Sequence, residues 1–409
     1  MQSTNKELNL TEHNTENSLD NYFTDDPQIS FFQPTKNKTY YPFARNTISV
    51  EFKEKFDFGK TVTVELPTKG DLISRMFVEI DLPTLIPNNT SASYVNNVGM
   101  AIFDWMEIEV GGQVIGKIYS EFAHIWNILT TTGEQRIGVN WMTRNFDSFT
   151  TNSFTGGKLF VPLYFWFNNK INQAFPIGAI THNKVIMRFK TKSFNDLWVS
   201  DNNIAPTGTY SIENAKLLID YYMISKKESI NFINVPHTYL IHQIQQVSQS
   251  IGAGTTSYNV DISQFRNTIT EIIWVLQRSD ARTNKDWFNY SDVLTGTSND
   301  PLLKARIYYE GDERTELLSG QYFRTVEPFN RHTIIPNDYI YMYLFSLYPE
   351  NTSQPSGVVN MGKLHNISLY LELKSGLPEM YITVYAINYK QLIVANGQAY
   401  LKHTFNNTF

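Results

Sequence analysis

Cysteine is missing from all 409 residues, which removes disulfides, thiolate nucleophiles and Cys-ligated zinc from the available chemistry. Basic runs are missing too. The formal net charge is −5 and the nearest approach to a cationic run is Lys226–Lys227, read as a solvated pair at a strand end. The chain therefore shows no electrostatic footprint for direct nucleic-acid binding. Charged residues are scarce, at 18%. No stretch of about 18 apolar residues occurs, so no membrane-spanning helix is expected. Residues 1–28 are polar and Asn-rich, without the apolar centre of a secretory signal. With no secretory route, glycosylation is not expected at the sequons of Asn9, Asn37, Asn88, Asn89, Asn289, Asn351, Asn366 and Asn406.

What the chain has is length and aromatic rings. At roughly 150 residues per domain, two or three domains are expected. Aromatics reach 14%, with 24 Tyr and 27 Phe, a balance that suits pleated, half-buried surfaces. Residues 1–21 carry almost no apolar side chains and cannot offset the entropy of ordering, so a flexible arm over 1–25 is expected. Beyond it, Ile48, Val50 and Phe52 alternate with polar residues, the period of a strand buried on one face. The same reading gives strands at 62–66, 71–82, 102–110, 113–118, 158–167, 184–191 and 215–224. Gly111–Gly112 between two of them is a strong hairpin signal. One helix interrupts: Phe122, Ile125, Trp126 and Leu129 form a stripe of helical period, and Ser120 is placed as its N-cap.

The second half repeats the programme, with strands at 239–247, 257–262, 269–276, 302–309, 314–318, 339–347, 363–373 and 380–389. The turn of EVGGQVIGKIY (109–119) has a counterpart in YEGDERTELL (309–318), and LFVPLYFWF (159–167) in YIYMYLFSL (339–347). Eight and eight short strands without a βαβ rhythm predict an all-β protein of two consecutive eight-stranded antiparallel sandwiches. Eight strands in two packed sheets is the jelly-roll count. The expected organisation is an arm over 1–25, a first roll over 26–225 and a second over 226–409.

Catalytic chemistry finds little support. His237 and His242 lie five apart and are read as a surface pair rather than metal ligands. GAGTTS (252–257) lacks the Gly-Lys-Ser/Thr ending of a phosphate loop and is read as a turn. There is no nucleophile elbow. Glycosidases use paired carboxylates, and Asp104, Glu107 and Glu109 cluster on one strand, with Glu107 and Glu109 on the same face. They are read as a solvent-facing edge, and Asp312, Glu313 and Glu316 as the charges of a turn. No catalytic, cofactor-binding or metal-binding residue is expected.

Six segments, in order, resemble the major capsid proteins of nucleocytoplasmic large DNA viruses. They are DPQISFF (26–32), DFGKTVTVELPTKGDLISRMFVEIDLP (57–83), IFDWMEIEVGGQVIGKIYSEFAHIWNILT (102–130), GQYFRTVEPFNRHTIIP (320–336), YLFSLYPENTSQPSGVVNMGKL (343–364) and VYAINYKQLIVANGQAYL (384–401). Physically these segments are architectural: Gly59 and Gly70 bracket a strand and allow reversals, Gly111 and Gly112 supply positive φ, and Pro355 and Gly357 shape a loop. The resemblance implies a double jelly roll whose homotrimers form pseudo-hexagonal capsomers of an icosahedral shell, assembled in the host cytoplasm. It further implies contacts with neighbouring capsomers, minor capsid proteins and an inner membrane, with the connections at 83–100, 119–157, 278–301 and 319–337 forming the outward tower. Where the family often ends its last motif with a Met-Ser-Gly-type run, this chain has 393–397, and it is short for the family. Two rival readings are a scaffold of the same fold that shapes immature virions, and a β-sandwich glycan-binding protein or glycosidase. The latter needs clustered Trp and paired carboxylates, whereas the seven Trp are scattered along the chain.

Overall fold

The computed structural model describes residues 42–402 except 89–90, 146–153, 169, 202 and 352. The arm expected over 1–25 lies outside the described residues, as does the start of the first roll.

Eight strands build the two main sheets of the first roll, and a short pair, Ala92–Tyr94 with Trp198–Ser200, stands apart from them. The eight are β1 (Phe43–Glu51), β2 (Thr61–Glu65), β3 (Leu72–Leu82), β4 (Phe103–Val110), β5 (Gln113–Tyr119), β6 (Gly157–Pro162), β7 (Val185–Thr191) and β8 (Asn214–Ile224). They pair antiparallel in two four-stranded sheets, β1-β8-β3-β6 and β2-β7-β4-β5. Apart from the β4–β5 hairpin, each strand is followed by one in the other sheet, which is the jelly-roll wiring. Alternation decides what faces inward. Val62 and Val64, Met76, Val78 and Ile80, and Leu217, Ile219 and Tyr221 are all buried in one cluster, while their neighbours stay partly or fully exposed.

The second roll repeats the wiring with β9 (His237–Ile251), β10 (Ser257–Asp261), β11 (Thr268–Arg278), β12 (Leu302–Tyr309), β13 (Asp312–Glu313), β14 (Leu318–Ser319), β15 (Ile340–Leu344), β16 (Ile367–Leu373) and β17 (Met380–Ala395). One sheet runs β9-β17-β11-β15, and the other β10-β16-β12 with β13 and β14 beside β12. The strand expected at 314–318 does not form: residues 314–317 are a bend and loop between the short β13 and β14. A hairpin return, β18 (Gln398–Leu401), adds to β17; the sequence reading did not anticipate it.

Tight turns with two left-handed residues close three hairpins: Gly111–Gly112 (φ 56° and 88°), Glu310–Gly311 (52° and 91°) and Asn396–Gly397 (52° and 74°). These are the turns whose twist matches that of paired strands. The first two occupy equivalent places in the two rolls. Gly70 differs from its expected role. Its φ is not positive, and a Cβ there would lie 3.0 Å from Tyr221 Cβ, so glycine is needed for close approach.

The sheet β9-β17-β11-β15 is buried on both faces. Ile272, Trp274 and Leu276 point into the second roll. Ile273 and Val275, with Met342, Tyr385 and Ile387, point into the cluster of the first. Nine successive residues of β11, 269–277, are buried in consequence. A strand covered on both faces loses the alternating pattern and becomes a continuous run.

The connections carry the helices: α1 (Val98–Ala101), α2 (Ser120–Thr130), α3 (Gly133–Thr143), α4 (Lys226–Asn234), α5 (Ser279–Thr283) and α6 (Glu327–Arg331). Helix α2 forms where the apolar stripe predicts it, but Ser120 is not its cap. Tyr119 holds the capping position with no side-chain bond, and Ser120 Oγ donates to Met100 O. The expected strand over 158–167 stops at Pro162, and residues 166–168 turn into a 3₁₀ helix. Proline supplies no N–H to a ladder, which accounts for the early end.

Candidate functional site: the roll–roll junction and the loop end

Side chains and backbone from both rolls interlock. Gln243 Nε2 donates to Ile115 O, and Leu401 N to Gln113 Oε1. The N–H groups of Thr181 and His182 both donate to Gly397 O, at 3.0 and 2.8 Å. The β17–β18 turn is therefore bonded to the first roll, and a Cβ at Gly397 would collide with the His182 ring.

Two buried polar networks lie within this packing. In one, Tyr385 Oη of β17 donates to Glu121 Oε2 of α2 at 2.7 Å. Burial pushes the Glu121 carboxyl above its ordinary range, against the pull of that bond and the Arg282 charge. In the other, His332 bridges two carboxylates: Nε2 lies 2.9 Å from Glu271 Oε2 and Nδ1 lies 3.0 Å from Glu350 Oε1. The side chains of His332 and Glu271 are both 0% exposed. Burial alone would lower the imidazole pKa, but the Glu271 charge and the bonds to both carboxylates override it and raise it to about 9. The cation is thus retained at neutral pH. Nothing in the spacing of these residues announced the network, since His332 is 61 residues from Glu271. The one available signal was a Glu inside the apolar run 269–276.

Most residues singled out from the sequence are structural, and some of their expected settings are corrected. Strand β4 is not an edge, because it pairs with β5 and β7. Arg188 reaches across to Glu107 at 3.1 Å and also to Glu109. The two carboxylate side chains are only 12% and 10% exposed, so this is a covered ion cluster rather than a solvent-facing rim. Asp104 lies 3.8 Å from Lys192 Nζ. His242 is not a surface residue: its ring packs on Tyr389, and burial followed by the Lys170 charge lowers its pKa to about 4. His237 instead bonds Phe232 O. Lys226 and Lys227 are exposed as expected, but in the first turn of α4 rather than at a strand end. Asp312, Glu313 and Glu316 sit in and after the exposed turn of β13. Among the described residues no group of three His, Asp or Glu is arranged to hold a metal.

The loops between β3 and β4, β5 and β6, β11 and β12, and β14 and β15 converge. Asn97 Nδ2 donates to His124 Nδ1 at 2.9 Å, His124 stacks on Phe288, and Ile334 N donates to Leu129 O. All four loops line one cavity of about 290 Å³. His124 is buried there, and burial, then the Arg136 charge, lowers its pKa to about 3.

Outside these contacts, many large apolar side chains remain exposed, two sets of them near the converging loops. Helix α3 presents Ile137 and Trp141, four residues apart and so on one face. The second roll presents Val326, Phe329, Ile335, Leu347 and Tyr348, with Phe329 72% exposed. Patches of this kind mark interaction surfaces on folded chains.

Comparison with known proteins agrees with this architecture. A family model described as "Major capsid protein N-terminus" matches residues 30–225, and one described as "Large eukaryotic DNA virus major capsid protein" matches residues 228–399. The chain is 27% identical to a major capsid protein of Pyramimonas orientalis virus, over 94% of this chain and 96% of that one. It is 25% identical to that of Phaeocystis pouchetii virus, over 94% and 97% respectively. Among solved structures, the PBCV-1 virus capsid model superposes with a TM-score of 0.78 at 22% identity, covering 92% of this chain and 100% of that one. The same double jelly-roll fold is therefore present here. Two successive rolls of identical wiring and the family match across both halves lead to one conclusion: the chain belongs to the major capsid protein family of large eukaryotic DNA viruses and is a structural component of the virion, not an enzyme.

Proposed function

We propose that three copies of this chain close into a pseudo-hexagonal capsomer that tiles an icosahedral shell. Six similar rolls around a threefold axis give a near-hexagonal outline, and the repeated wiring of the two rolls carries this reading. A cyclic trimer needs a heterologous contact, in which one surface meets a different surface of the next copy. The exposed groups on α3 and around Phe329 are two such surfaces. Obligate interfaces commonly bury more than about 2,000 Å² and resemble a core, which suits rings such as Phe329 and Trp141. The four converging loops form the outward tower, and neighbouring capsomers, minor capsid proteins and an inner membrane meet the sides and base. No catalytic residue takes part. The domain limits that fit this reading are 26–225 and 226–409, joined through α4.

Replacing Phe329 by Asp tests the interface. Exposed as it is, the side chain contributes little to the fold of one chain, so the melting of the monomer is unchanged. Sedimentation of the wild type gives three times the 47.3 kDa chain mass, and the variant gives one. A variant that remains trimeric removes Phe329 from the interface, and a monomeric wild type refutes the trimer.

A further inference from the structure

The four converging loops line a cavity rich in polar side chains. Its volume of about 290 Å³ stands at the lower end of the roughly 300–1,000 Å³ typical of small-molecule pockets. Hydrogen bonds fix its walls in advance. Asn96 Nδ2 donates to Asn145 Oδ1, and Asn145 Nδ2 to Asn140 Oδ1. Arg136 is held by a bond to Ile128 O, Lys285 by one to Trp198 O, and Trp287 by one from its Nε1 to Asp196 O. Such a pocket loses little entropy when a ligand enters.

The lining chemistry selects among ligands. Five asparagines face the cavity, and each amide offers donors and acceptors together. A ring bearing adjacent hydroxyls uses both kinds, because each hydroxyl also donates and accepts. Charges balance: Arg136 and Lys285 stand against Asp286 and Asp338, which removes the net attraction that an anion site needs. His124 adds no charge, since its buried ring is neutral. Trp287 and Phe288 supply partly exposed aromatic walls for the C–H face of a sugar. Trp287 lines the cavity beneath Lys192 Nζ at 4.6 Å, and the buried Trp198 lies beneath Lys285 Nζ at 3.5 Å.

We propose that this cavity binds a neutral monosaccharide, the terminal unit of a glycan, with the asparagine amides and Arg136 on its hydroxyls and Trp287 against its face. Because the loops of both rolls contribute, only the complete chain carries the site.

Saturation-transfer NMR on the full-length protein tests this with free glucose, galactose, mannose, fucose and N-acetylglucosamine, and with inorganic phosphate. At least one neutral sugar should show saturable transfer, phosphate none. Asn140→Leu and Arg136→Leu, first shown to melt with the wild type, should each weaken that binding at least tenfold. Glycans released from host cells and glycans released from virions then serve as separate competitors; the set that displaces the sugar identifies its source. Absence of saturable binding by every sugar, equal binding by both variants, or preference for phosphate would overturn the proposal.

Discussion

His332 shows how a single residue ties the stability of the shell protein to pH. The imidazole stands between Glu271 and Glu350, and its pKa is raised from 6.5 to about 9. Below pH 6.5 the ring is protonated whether or not the chain is folded, so the ion network contributes fully. As pH rises through about 9 the folded protein also gives up the proton, and that contribution is lost. The melting temperature of the wild type should therefore fall on the alkaline side, and the gap between wild type and His332→Gln should close above pH 9. A gap that stays constant would show that the network is not charged. Glu271→Gln should lower stability at neutral pH by less than the roughly 3–5 kcal/mol that stranding one partner of a buried pair costs, because Glu350 still faces the imidazolium. On the acid side the sign reverses. His242 and His124 are held neutral by burial, with pKa values lowered to about 4 and about 3. The unfolded chain binds those protons below pH 6.5 while the folded chain does not, so stability drops as pH falls. His242→Leu should flatten that acid limb in thermal melts. These residues were poorly legible in the sequence. Partners far apart along the chain leave no local pattern, and His242 reads as polar until Tyr389 covers it. Glycines were easier, because positive φ at Gly111 and Gly112 follows from the turn alone, whereas the need at Gly70 depends on a strand arriving from Tyr221.

Elements were far more legible, because strand and helix periods are local. The eight main strands of the first roll stand where apolar patterning and the hairpin signal put them, apart from the start of β1 at Phe43 and the end of β6 at Pro162, and α2 stands where its apolar stripe put it. The failures have one cause each. The continuous burial of β11 arises from a second layer of packing that strand periodicity does not encode. The hairpin to β18 was overlooked because its turn, Asn396–Gly397, follows a strand already counted as finished. That hairpin yields a sharp expectation. Gly397 has φ of 74° and its missing Cβ makes room for His182, so Gly397→Val combines backbone strain with a clash. The variant should lower the melting temperature and speed proteolysis after Leu392, while Gly254→Val, also at positive φ but in open space, should cost only the backbone strain. Equal losses from the two would mean that the contact with the first roll contributes nothing.

Across the whole molecule, burial on both faces of β9-β17-β11-β15 makes the second roll dependent on the first. Residues 226–409 expressed alone should aggregate, because Ile273, Val275, Met342, Tyr385 and Ile387 would be left exposed, and coexpression with residues 1–225 should restore solubility. The stretch 1–21 carries few apolar side chains, so its deletion should leave the melting temperature unchanged while impairing closed shells. In the proposed assembly the two rolls supply six similar corners to a three-chain ring. Class-averaged electron micrographs of the purified full-length protein decide this: particles of threefold symmetry with a hexagonal outline and a central raised tower of loops are expected, and a population of monomers, or of rings with any other symmetry, would contradict it.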